Sequence, residues 1–127
     1  MRKEPSKRPT AAELGILQVL WKNGPQTVRQ VQGALGPETG YTTVLKLMQI
    51  MKEKGLLRRD TDDRTHVYFP ALPEEQTKNG LVRDLLDRAF RGSAKDLIVQ
   101  ALSAKRTSRE ELAQIREMIE GIEKGRK

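Results

Sequence analysis

Along residues 40–70, GYTTVLKLMQIMKEKGLLRRDTDDRTHVYFP, the spacing of apolar side chains switches from a helical repeat to a strand repeat within one short stretch. Val44, Leu47, Met48 and Met51 recur at i, i+3, i+4 and i+7. At about 100° per residue this puts them on one face of a helix running from Tyr41 or Thr42 to Lys54. Gly55 supplies a natural C-terminal stop. Immediately after it, Leu56-Leu57-Arg58-Arg59 and His66-Val67-Tyr68-Phe69 flank a turn, the pattern of a tight β-ribbon. A helix with one polar face followed by such a ribbon is how a winged helix-turn-helix ends. The helix of that fold lies in a major groove, and the ribbon reaches the adjacent phosphates.

The polar face of this helix carries Thr42, Lys46 and Gln49, side chains of the types that contact base edges and phosphates. Thr42 and Thr43 stand in its first turn, where outward-pointing backbone N–H groups suit a phosphate oxygen. An ordinary solvated helix has a similar face. The position between a short helix and a ribbon is what favours groove binding. At the ribbon tip, Asp62 and Asp63 repel phosphate, so contact falls to Arg64, with Arg58 or Arg59 in support. The alternative for Arg64 is an ion pair with one of those aspartates. His66 reads as a plain strand residue.

Two shorter helices precede the run. Thr10 with Glu13 makes a capping box, after which Leu14, Leu17 and Trp21 share a face, and Asn23-Gly24-Pro25 ends the helix. A second box, Thr27 with Gln30, opens a helix with Val28, Val31 and Leu35 at i, i+3 and i+7, before Gly36-Pro37 and Gly40 break the chain again. Two short helices this close together fit a helix-turn-helix.

Beyond Pro70 the pattern is helical only. Pro73 suits the first turn of a fourth helix whose Leu81, Val82, Leu85, Leu86, Ala89 and Phe90 form a broad apolar stripe ending at Gly92. Ser93 with Asp96 caps a fifth helix presenting Leu97, Ile98, Ala101 and Leu102. Ser108 with Glu111 caps a sixth presenting Leu112, Ile115, Ile119 and Ile122. A helical unit this small rarely supports its own core, and these stripes hold more apolar face than they can bury on one another. Dimerisation through this region follows. The competing arrangement is a monomer whose tail folds back on the winged domain.

Composition bounds the remaining classes. With 24 Lys+Arg against 17 Asp+Glu, the net charge of +7 draws the chain toward polyanions. Residues 1–70 hold 12 basic and 7 acidic side chains and residues 71–127 hold 12 and 10, so most of the excess is N-terminal. The absence of cysteine removes disulfides and thiolate metal sites, and the single histidine, His66, cannot build a metal cluster, so no cofactor is expected. The predicted helices are too short and polar to insert in a membrane. The start, MRKEPSKRPT, is basic without an apolar stretch and reads as a disordered cytoplasmic arm. There is no nucleophile paired with a base and no Gly-rich phosphate loop. Glu74-Glu75 and Glu110-Glu111 sit at helix starts, where the dipole favours them, so an enzyme is not expected.

The segments TAAELGILQVLWKNGPQTVRQVQGAL, GYTTVLKLM, KEKGLLRR and DRTHVYFPAL resemble the penicillinase and methicillin-resistance repressors, the BlaI/MecI family, and the resemblance runs from about Thr10 to Glu120. It implies a mostly α fold with a small β-ribbon. A basic arm (1–9) would precede a winged helix DNA-binding domain (10–72) and a helical dimerisation region (73–127). It also implies a cytoplasmic bacterial repressor, linked to antibiotic resistance, that binds a palindromic operator in double-stranded DNA as a homodimer. The recognition helix would correspond to Tyr41 to Lys54, with Thr42, Thr43 and Lys46 toward DNA and Arg64 in the wing; with Tyr41 and Gln49 added from the polar side of the helix, these are the expected DNA-binding residues. Leu81, Leu85, Phe90, Leu97, Ile98, Leu102, Leu112, Ile115 and Ile119 would form the dimer interface.

Three departures separate the chain from the family pattern. Ile50 stands where many members have arginine. Well-known members are inactivated when a membrane-bound, β-lactam-sensing receptor triggers cleavage of an Asn-Phe bond in the tail helices; the corresponding pair here is Gln100-Ala101. Copper-responsive members end in a cysteine-rich metal site, which this chain lacks. The reading from another class is a winged-helix protein–protein interaction module without sequence-specific DNA binding, because one fold serves both roles.

Overall fold

The computed structural model describes residues 8–60 and 65–125; the expected arm therefore lies largely outside the described residues, as do Asp62, Asp63 and Arg64, which the sequence pattern assigns to the ribbon turn. The order of elements is α1 (Ala11–Asn23), α2 (Val28–Leu35), α3 (Tyr41–Lys54), β1 (Leu57–Asp60), β2 (Val67–Pro70), α4 (Glu74–Ala89), α5 (Ala94–Ala104) and α6 (Arg109–Lys124). This is the mostly α fold with a small antiparallel ribbon that the sequence implies. The chain divides into two compact units, Met1–Val82 and Arg83–Lys127, with the division inside α4.

In the first unit, reciprocal capping boxes start α1 and α2. The Thr10 hydroxyl accepts from the Glu13 N–H at 3.2 Å while the Thr10 N–H donates to Glu13 Oε1 at 2.9 Å. The Thr27 and Gln30 pair repeats this at 3.1 and 2.9 Å. Each box satisfies backbone donors that a helix start otherwise leaves unpaired, worth about 1 kcal/mol per cap. At the other end of α3, Gly55 adopts a left-handed φ of 85° and its N–H bonds the carbonyls of Lys52 and Met51. That reversal turns the chain directly into β1.

The core of this unit joins Ile16, Leu17 and Leu20 of α1 to Val28 and Val31 of α2, Val44, Met48 and Met51 of α3, and Leu56, Leu57 and Tyr68 at the ribbon. The α3 stripe packs as its spacing predicts, with Leu47 half-buried at the margin. α1 differs from expectation. Its buried face is Glu13, Ile16, Leu17 and Leu20, while Leu14 and Trp21 are only half-buried. The spacing i, i+3, i+4, i+7 is complete, but it begins on a charged residue and so escapes a purely apolar count.

β1 and β2 pair antiparallel with Leu57 opposite Pro70 and Arg59 opposite Tyr68, each strand starting one residue later than the sequence pattern implies. A further bridge joins Gln26, in the link between α1 and α2, to Tyr68. The Gln26 N–H donates to the Tyr68 carbonyl at 3.0 Å and the Tyr68 N–H donates to the Gln26 carbonyl at 2.8 Å. The start of α4 also lies near α1, where Lys78 Nζ is 5.7 Å from the centre of the Trp21 ring and pairs with Glu74 one turn away.

In the second unit, Arg91 (φ 51°) and Gly92 (φ 81°) end α4, and the Ser93 and Ser108 hydroxyls accept from the Asp96 and Glu111 N–H groups at 3.1 and 3.0 Å to open α5 and α6. No described residue of α4, α5 or α6 is buried. Apolar side chains of these helices therefore remain in water, Ile122 being 58% exposed.

Candidate nucleic-acid interface

α3 presents Tyr41, Thr42, Thr43, Lys46 and Gln49 to solvent because Val44, Met48 and Met51 occupy its core side. Ile50, 38% exposed, joins them as a large apolar group on the outward surface. Such a side chain suits contact with a thymine methyl rather than with a phosphate. Gly40 starts α3 without a side-chain cap, so its first-turn N–H groups keep the donors that the boxes of α1 and α2 use internally. Arg64 lies outside the described residues.

The opposite end of α3 is anchored. Lys54 Nζ lies 2.7 Å from Glu13 Oε1 and donates to the Arg8 carbonyl at 3.4 Å. Burial alone would raise the Glu13 pKa. The Lys54 hydrogen bond, the Thr10 backbone N–H and the Lys54 charge together outweigh it, so the group titrates below its ordinary value. Glu13 is thus an ionised carboxylate at the edge of the core, paired with the last turn of α3.

Beside the outward surface of α3 is a cleft of about 420 Å³ bounded by the start of α2, α3 and the ribbon. Arg29 lines it with its guanidinium carbon 5.0 Å from the centre of the Tyr41 ring, within cation–π range. Arg59 lines it from β1. Strand alternation explains why Arg59 and not Arg58 turns inward: Leu57 is buried, so Arg59 shares its side of the ribbon and is half-buried, while Arg58 is exposed. Arg59 Nε is shielded from solvent with no hydrogen-bond partner among the described residues. Sequence patterning does not single out Arg29. It stands on the polar side of a short helix, whose start the Gln26 bridge to Tyr68 and the shared core of Val28 and Tyr68 hold against the ribbon. For Arg59, the alternation from Leu57 was the available signal.

The tail residues fall into two groups. Leu85, Ile98, Leu102 and Ile119 are exposed, whereas Leu81, Phe90, Leu97, Leu112 and Ile115 are half-buried. Gln100 and Ala101 are exposed within α5. Among the described residues no group of three or more His, Cys, Asp or Glu side chains is arranged to hold a metal ion, and no helix is long and apolar enough to cross a membrane.

Residues 9–121 match the family model described as penicillinase repressor. The chain is 38% identical over 80 residues to the transcriptional regulator BlaI of Mycobacterium tuberculosis, an alignment covering 61% of this chain and 58% of that protein. It is 26% identical over 115 residues to the penicillinase repressor of Bacillus licheniformis, covering 86% of this chain and 87% of the relative.

Proposed function

Since the chain belongs to the penicillinase repressor family, a family of repressors and not of enzymes, we propose that it represses bacterial transcription by occupying a palindromic operator as a homodimer. The observation that carries this reading is the outward surface of α3, where Tyr41, Thr42, Thr43, Lys46 and Gln49 stand beside uncapped N–H groups and a ribbon. In the dimer, two α3 helices enter successive major grooves, with half-sites about one helical turn or a small multiple apart. Residues 10–72 form the DNA-binding domain in this account and residues 73–127 the dimerisation region. The exposed Leu85, Ile98, Leu102 and Ile119 support the second assignment. Burying each such side chain against a partner is favourable by about 1.5–3 kcal/mol.

The protein acts in the cytoplasm. A membrane-bound sensor protease releases it by a cut in the tail helices, where Gln100 and Ala101 lie exposed. The cut separates the dimer, and a lone domain loses the gain from linked binding. Because Ile50 stands where many members have arginine, the operator sequence of the better-known members does not transfer to this chain.

The test is binding to duplexes from the promoter regions neighbouring its own gene over a salt series. The expected result is tight binding that weakens steeply with salt and exceeds binding to scrambled duplexes. Salt-insensitive binding, or none, would overturn this reading in favour of a protein-docking module.

A further inference from the structure

The cleft beside α3 is lined by Thr27, Arg29, Tyr41, Gln49, Arg59 and His66 among others, and among the described residues no carboxylate lines it. The two guanidinium groups found there among the described residues are held in place. Arg29 stacks on Tyr41, and Arg59 rises from a strand position paired with Tyr68. Arg59 Nε is shielded from solvent and finds no acceptor among the described residues, so this side chain has hydrogen-bonding capacity that its own surroundings leave unused. Planar guanidinium donors match an oxyanion in geometry as well as charge, and hydroxyl and amide groups on the same wall add neutral donors.

Building on the repressor reading above, we propose that this cleft seats one phosphate group of the DNA backbone, held by Arg29 and Arg59. A duplex whose major groove receives α3 runs one of its strands past the side of that helix, and the cleft opens there. The phosphate accepts from the guanidinium of Arg59 and draws on Arg29, already stacked on Tyr41. The contact fixes the depth and register of α3 without reading sequence.

The full-length chain is titrated with a duplex from upstream of its own gene and with a scrambled duplex, in a KCl series. Wild type is compared with Arg29→Gln/Arg59→Gln, Arg59→Lys and, as a single-charge control on α6, Arg116→Gln. Neutralising one phosphate contributes about 0.9 to the slope of log affinity against log salt, so the double variant is expected to lose about one unit of slope. It is also expected to weaken on both duplexes by a similar factor, roughly tenfold. Arg59→Lys keeps the charge without the fork, so its slope stays near wild type while its affinity falls. Arg116→Gln leaves both unchanged.

A double variant with the wild-type slope overturns the cleft assignment while leaving the repressor reading intact. A wild type that binds neither duplex overturns both. In a parallel arm, potassium phosphate replaces KCl at matched ionic strength. Extra inhibition in the wild type that the double variant lacks would make free phosphate the occupant and overturn the DNA-backbone assignment. Circular dichroism melts of each variant keep a folding defect from passing as a binding effect.

Discussion

Lys54 Nζ sits 2.7 Å from Glu13 Oε1, so the last turn of α3 is tied to the first turn of α1 through a carboxylate only 3% exposed. The same Glu13 oxygen accepts from the Thr10 N–H, so one side chain serves both a helix cap and an inter-helix ion pair.

Glu13→Ala is expected to lower stability by about 2–4 kcal/mol, since it removes a cap, the ion pair and the partner of a largely buried lysine. Glu13→Gln, which keeps a cap acceptor, should lose less. Urea midpoints of the two variants against wild type at pH 7 provide the measurement.

The same pair predicts a pH dependence. Because the folded pKa of Glu13 is depressed, its contribution is fully present above the ordinary glutamate value and is lost as pH falls through the lower folded value. Unfolding midpoints measured between neutral pH and about pH 3 should fall more steeply for wild type than for Glu13→Gln. Parallel curves would contradict the assignment.

Met48→Ala removes a fully buried side chain at the centre of the core and is expected to cost about 2–5 kcal/mol. Gly55→Ala should cost only about 1–2 kcal/mol, and through backbone strain: a Cβ there meets nothing within 4 Å, but φ is 85°. Chemical denaturation would rank the two.

Lys46→Ala should weaken specific duplex binding about tenfold or more, whereas Gln76→Ala, exposed on α4, should not. Equal effects in a fluorescence anisotropy titration would mean that the wrong surface had been assigned to DNA.

For the tail, Leu85→Glu or Ile119→Glu places a charge on an exposed apolar position and should turn a dimer into a monomer in sedimentation velocity. A wild type that stays monomeric at high micromolar concentration would refute dimerisation through these helices.

Much of this fold was legible in the residues because local chemistry and tertiary packing agree. Thr10 with Glu13, Thr27 with Gln30 and the Val44 to Met51 stripe each declare themselves within a few positions. The exposure of Lys46 and Gln49 followed from the stripe opposite them. What escaped depends on contacts distant in sequence. Ile16 and Leu20 were hidden by a face that begins on Glu13, whose charge is matched only by Lys54 at the end of another helix. Gln26 carries no strand pattern of its own, yet it bonds Tyr68 just before the helix start that brings Arg29 to the cleft.

That bridge has a thermodynamic consequence. With β1 on one side and Gln26 on the other, Tyr68 is laced into the sheet from both edges, so the root of the wing is locked to the link between α1 and α2 before any duplex arrives. The separation between wing root and helix is then a built-in gauge. The ordering entropy for that part of the interface is spent during folding, and association draws correspondingly less on the contacts it forms.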